Sequence, residues 1–244
     1  MKIIAGQEDA PRNDAPRKRG RPAGPTRQGD TTRRRLYDTA IALITTRGYE
    51  ATTLRDVAAR AGVSVGLLYR YFPSKRAVVL SLYDELSADY AEQAAGMDAG
   101  KWRDRFLFAL ATSLQILHPH RRTLTALVPV FFGGADEGLF APGTLFSRRR
   151  VQAVFHEAVM GATDAPRPEV AAALGRLLYL VHLAVILWWM MDKSPKQRAT
   201  HALVALIKQT LPASALTLRL PRIRGMVIAG DRLMRDALFD DAEA

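Results

Sequence analysis

Between Thr53 and Phe72 the side chains are suited to recognition, not to bond-making. Arg70 can pair bidentately with the O6 and N7 of a guanine. Tyr69 and Tyr71 carry phenolic donors. Lys75, just after Ser74, can offer a phosphate a point charge, and Arg55 can do the same or stay solvated. The residues between them have steric reasons for their types. Two helices crossing at roughly 90–120° need a small residue where they touch, and Ala58 supplies it. The turn needs a positive φ, which Gly62 tolerates without a Cβ clash. Val57, Ala61, Val63, Leu68 and Tyr71 are spaced to face a shared core. Thr53 with Asp56 resembles a capping box, with Asp in place of Glu, and Ser64 can cap the next helix. A plain helical hairpin accounts for the apolar spacing but does not require Ala, Gly and Ser in register with it. The stretch therefore reads as a helix-turn-helix.

A second group lies upstream. Arg19, Gly20, Arg21 and Pro22 look like the core of an AT-hook. The Gly lets an extended backbone sink to the groove floor, and the two Arg side chains can splay along a narrow A·T minor groove. A generic basic arm would make phosphate contacts alone.

The rest of the chain offers no catalytic constellation. It has no cysteine, which excludes a thiolate metal site and a cysteine nucleophile. His118 and His120 flank Pro119 with no third ligand, and His182 sits in an apolar helix as an expected satisfied core residue. No metal, cofactor or enzymatic activity is implied. Trp102, Phe106, Phe131, Phe155 and Trp188 could line an apolar pocket, although plain core explains any one of them as well. Arg148, Arg149 and Arg150 read as a solvated helix face.

The elements that must position these groups are helical throughout. Leu36, Ala40, Leu43 and Ile44 mark a helix from Thr31 that ends near Gly48. Short helices follow at Leu54 to Ala61 and Val65 to Tyr71. Val78, Leu82 and Leu86 mark a fourth. Later helices are expected at Trp102 to Leu117, Leu124 to Phe132, Leu145 to Met160, Glu169 to Met191 and Pro195 to Leu211. Leu216, Leu218 and Leu220 alternate with period two, too briefly to build a sheet. The fold class is all-α. Residues 1–30 read as a disordered basic arm, 31–76 as the helix-turn-helix domain, 77–214 as a helical ligand-binding and dimerisation domain, and 215–244 as an extension of uncertain structure. Of the 244 residues, 1–75 hold 15 Lys and Arg against 7 Asp and Glu, most of a net charge of +11. That is the footprint of a protein that meets a polyanion. The apolar run from Leu177 to Met191, broken by His182, falls short of the roughly 18 consecutive apolar residues of a membrane span. A cytoplasmic protein is the expectation.

From Thr32 to Leu86 the sequence resembles the TetR family of bacterial transcription regulators. The marks are the run Arg47 to Thr53 leading into Val57 and Ala58, then Ala61 to Ser64, Leu68 and Tyr69, and Tyr71 to Lys75. The resemblance implies that the second helix of the motif lies in the major groove of double-stranded DNA. It implies phosphate contacts from Thr53, Tyr69, Tyr71 and Lys75. Arg55, Val65, Gly66 and Arg70 are then placed at base edges, with Ser64 at the start of the reading helix. Val65 stands where a polar residue is frequent, and Arg70 with Tyr71 replaces a pair often aromatic or histidine, so the operator sequence is not carried over. The resemblance further implies a homodimer on a pseudo-palindromic operator, and a nucleoid-associated repressor released by a small-molecule effector. An architectural protein binding A·T-rich DNA is the alternative. The dimer interface is expected on the helix bearing Val181, Val185, Trp188 and Trp189 together with the one after Pro195.

Overall fold

The computed structural model describes residues 27–131, 133 and 138–239. Arg19, Gly20, Arg21 and Pro22 lie outside them. Every regular element among the described residues is helical: α1 (Arg27–Arg47), α2 (Leu54–Ala61), α3 (Val65–Tyr71), α4 (Lys75–Ala94), α5 (Trp102–Leu117), α6 (Arg121–Ala126), α7 (Val128–Phe131), α8 (Leu145–Met160), α9 (Pro168–Met191), α10 (Arg198–Thr217) and α11 (Pro221–Leu238). The all-α expectation holds.

Local chemistry accounts for the boundaries of the helix-turn-helix and of the α9–α10 turn. The Thr53 hydroxyl accepts from the Asp56 amide at 3.1 Å and the Asp56 carboxylate accepts from the Thr53 amide at 3.1 Å, closing the capping box on α2. Gly62 ends α2 at φ 65°, and the Val63 amide reaches back to the Ala58 carbonyl at 3.0 Å. Ser64 and Ser74 cap α3 and α4 through their side chains. At the α9–α10 turn, Asp192 accepts from the amides of Ser194 and Thr200 and from the Thr200 hydroxyl. These bonds hold its carboxyl far below the usual carboxylate range.

The structure departs from the expected elements in several places. The helix expected at Leu124 to Phe132 starts at Arg121 and is interrupted at Leu127, because Pro129 has no amide to continue the ladder. The helix expected from Pro195 begins as a 3-10 turn with Lys196 and Gln197 in left-handed conformation, and α10 then runs through Pro212 to Thr217. The period-two leucines therefore fall on a helix end and its turn, not on a strand. Residues 221–238 form α11, docked on α9 by a bidentate pair from Arg176 to Asp231 at 2.7 Å and 2.7 Å. Each expected domain boundary, after residues 30, 76 and 214, falls inside a helix.

Two apolar cores result. One gathers α1–α4 with Leu124, Leu127, Val130, Ile186, Trp189 and Met190. The other holds Tyr90, Trp102, Phe106, Phe155 and Tyr179 among α4, α5, α8 and α9. Burying a side chain such as Leu36 or Ile44 contributes roughly 1.5–3 kcal/mol. The helix α4 contributes Val78, Val79, Leu82 and Leu86 to the first core and Tyr90 to the second. By length and composition α9 could cross a membrane, which corrects the reading of the Leu177 to Met191 run as too short, yet 56% of its most apolar window is buried inside the chain.

Candidate nucleic-acid interface and cavity

The short α3 has one buried residue, Leu68, and presents Ser64, Val65, Gly66, Tyr69 and Arg70 to solvent. Val65 is 36% and Tyr69 49% exposed. Leaving two large apolar bodies on one polar-edged face suits contact with a thymine methyl or a sugar. Gly66 has ordinary helical φ, and an added Cβ would meet nothing within 4 Å. Nothing inside the chain requires glycine there. Arg55 is exposed on neighbouring α2. Five predicted residues are thus exposed along α3 and its cap, with Arg55 exposed on α2.

Three others are placed differently from a simple phosphate contact. The Thr53 hydroxyl donates to Asp56 at 2.7 Å, so its proton is committed to the cap. Those bonds from Thr53 lower the Asp56 carboxyl below its ordinary value. Tyr71 is half-buried against the first core. Lys75 donates to the Tyr49 carbonyl, and its ammonium lies 4.0 Å from the Tyr49 ring centroid. A cation at the first turn of α4 opposes the helix dipole, and the Tyr49 carbonyl and ring offset that.

Among α4 to α9 lies a cavity of about 140 Å³. Its wall includes Tyr83, Leu86 and Tyr90 of α4, Ser113 of α5, Phe131 of α7 and His182 of α9. Of the five aromatic residues singled out in the sequence, Phe131 lines it. Phe155 stands behind the wall, 4.8 Å from the His182 ring, and Phe106 lies behind Phe155. Trp102 borders a separate depression with Asp164, Arg167 and Arg224. Trp188 is 49% exposed on the outer side of α9. Aromatic type alone does not say on which side of a helix a ring points.

His182 is buried as expected but not fully satisfied. Its Nε2 and the Ser113 hydroxyl are 2.7 Å apart, whereas Nδ1 has no hydrogen-bond partner. Burial pushes its imidazole down to about 3 and raises the Tyr90 phenol above its ordinary value. Sequence reasoning passed over Tyr90. The signal was there: Val78, Leu82, Leu86 and Tyr90 continue one spacing of four, as do Leu174, Leu178, His182, Ile186 and Met190 on α9. Arg148 corrects the reading of a solvated basic face. It is buried, donates to Leu139 and Thr144, and lies over the rings of Phe140 and Phe239. Arg150 reaches Asp84 and Ser87.

Known proteins agree with this architecture. The family of bacterial regulatory proteins called tetR matches residues 36–82. The HTH-type transcriptional repressor KstR of Rhodococcus jostii is 53% identical over 49 residues, 20% of this chain and 23% of that protein. Its compatriot KstR2 is 39% identical over 83 residues, 32% of this chain and 41% of that protein. The chain thus spans less than half the length of these relatives. A TetR transcriptional regulator from Nitrosomonas europaea superposes with a TM-score of 0.55 at 22% identity, over 77% of this chain and 99% of that one. A tetR-family regulator from Streptomyces coelicolor does so at 0.56 and 16% identity, over 84% and 89%. The chain therefore carries the helix-turn-helix domain of the bacterial tetR family at residues 36–82, on the helical fold that these regulators share.

Proposed function

We propose that the chain is a cytoplasmic, homodimeric, sequence-specific DNA-binding regulator: a repressor that leaves a pseudo-palindromic operator when a small molecule enters the cavity. One observation carries this reading. Helix α4 buries Val78, Val79 and Leu82 beneath the helix-turn-helix and lines the cavity with Tyr83, Leu86, Ser87 and Tyr90. A ligand that shifts α4 must move the reading face, and differential affinity for the two positions is a coupling free energy. Val65, Gly66, Tyr69 and Arg70 read bases and sugars, Ser64 and Arg55 flank them, and Arg19 and Arg21 add minor-groove contacts.

The second copy sits on the outer side of α9. Val181, Trp188 and Met191 are exposed there at helical spacing, with Leu206 exposed on α10. Val185 and Trp189 point into the chain instead, so substituting Val185 tests the core and not the dimer. Trp188→Glu should give folded monomers that lose operator binding, because one head gives up the second half-site.

The test begins with selecting bound duplexes from a random pool. A two-fold symmetric sequence is the expected product, and Arg70→Ala should relax base preference in each half-site by roughly 1–3 kcal/mol per bidentate contact. Enrichment of A·T content alone, with no symmetric motif, would leave an architectural protein.

A further inference from the structure

Two residues of the cavity wall each carry a buried polar atom that the fold itself does not use. Tyr90 is 3% and His182 4% exposed, and neither the Tyr90 hydroxyl nor the His182 Nδ1 has a hydrogen-bond partner. Their rings lie parallel, 6.2 Å apart between centroids, and both residues line the same cavity. Leaving a buried donor or acceptor unpaired is costly, and native chains rarely do so without a reason. The surrounding wall is apolar: Leu86, Leu117, Leu124, Val151, Leu183 and Ile186.

We propose that the cavity binds a compact, uncharged molecule of about single-ring size whose one oxygen function, a hydroxyl or carbonyl, pairs with Tyr90 and His182. The inference rests on the effector reading above and gives that effector a chemical class. The size follows from the volume: about 140 Å³ is close to the roughly 150 Å³ of an apolar cavity that accepts benzene. The absence of charge follows from the surroundings. The rings of Tyr90, Phe155 and Tyr179 enclose His182, which burial keeps neutral, and the Tyr90 phenol stays protonated. A protonated phenol donates, so the ligand must accept. The charged group among the described lining residues is the Arg148 guanidinium, which repels an ammonium group. The buried Arg148 guanidinium already donates to the Leu139 carbonyl and the Thr144 hydroxyl, where it holds the wall between Phe140 and Phe239.

Four probes built on one ring test this with the full chain: 4-methylphenol, toluene, benzoate and benzylamine. Affinities are read by calorimetric titration and ligand-observed NMR. The phenol should bind about tenfold more tightly than toluene, because a site built around hydrogen-bonding groups rejects an analogue that leaves them unpaired. Benzoate and benzylamine should bind more weakly than toluene. In Tyr90→Phe the advantage of the phenol should shrink to about twofold with no loss of thermal stability, since the variant removes an unpaired hydroxyl. Equal affinity for toluene and the phenol, tighter binding of benzoate, or no binding of any probe at millimolar concentration would overturn the proposal. The wild-type comparison decides this even if the variant misfolds. Operator affinity is measured separately with and without 4-methylphenol. If the phenol binds as described and the operator affinity stays the same, effector control falls while the ligand class stands.

Discussion

The exposed face of α3 and the cavity among α4 to α9 differ in how the chain builds them. The face comes from about twenty consecutive residues, closed by contacts three to five positions apart: Thr53 with Asp56, Ala58 with Val63, Ser64 with Leu67. The cavity comes from six helices, α4 to α9, whose lining residues run from Tyr83 to Met190. Local capping and turn chemistry is written in the residues that perform it. Which side of a long helix meets which other helix is decided by packing over the whole chain. The first region is therefore specified by residue type, and the second by the assembly. Four substitutions or conditions test that division.

The largest effect should come from Phe155. It is fully buried and meets the rings of Phe106, Tyr179 and His182. Phe155→Ala should lose roughly 3–5 kcal/mol of stability through lost transfer energy and a new void. Below the melting transition, the folded variant should still bind operator with the wild-type base ranking. A mutant of near wild-type stability with changed ligand preference would instead put Phe155 on the cavity surface, where the sequence first suggested it.

That residue also shows where sequence reasoning ran out. The helix-turn-helix was legible down to the φ of Gly62 and the cap on α2, because glycine and capping hydroxyls have few other uses at those spacings. Trp102 to Leu117 and Leu145 to Met160 were legible too, since breakers bound both segments. Trp188 and Trp189 were not separable by type, although one faces out and the other in. Arg148 looked like a surface charge because a run of three arginines usually is one. Its burial depends on Phe140 and on Phe239, nearly a hundred residues later. The helix α11 was missed because Gly225 and Gly230 read as breakers, although Val227 packs on the second core and Arg176 pairs with Asp231.

The His182 imidazole gives the next effect, of a few kcal/mol at most. Burial lowers it from 6.5 to about 3. Between those values the unfolded chain takes up a proton that the folded chain refuses. Stability from this group is thus complete above about pH 6.5 and is lost as pH falls toward 3. His182→Gln removes the titration while keeping a polar group near Ser113. The stability difference between wild type and variant should shift against the wild type as pH drops from 7 to 4, by urea titration at each pH. A difference that stays constant would mean the folded chain binds that proton freely, and the site is more open than its packing indicates.

Gly66 probes the face in the opposite sense. With open space around its Cα and ordinary helical backbone, Gly66→Ala should stabilise the fold by about 0.5–1 kcal/mol. The same methyl stands where the proposed DNA backbone or base edge approaches, so operator binding should weaken. Greater stability with undiminished binding would show that α3 does not enter a groove at this residue.

The smallest effect concerns Lys75, where the two kinds of specification meet. The family resemblance puts this cation on a phosphate, while the structure sets it against the ring and carbonyl of Tyr49. The two roles leave different marks. A phosphate contact contributes counterion release, so its loss lowers the slope of log affinity against log salt by about one unit. A tether from α4 to the loop before α2 contributes through a cation–π contact, so its loss costs about 0.5–1 kcal/mol of stability and leaves the slope alone. Lys75→Met keeps most of the aliphatic stem and removes the charge. The expected result is the second pattern: a small drop in melting temperature, unchanged salt dependence, and an affinity loss equal on all sequences because the reading face is held less firmly. A slope reduced by one unit at unchanged stability would return Lys75 to the DNA and make Tyr49 its resting place in the free protein.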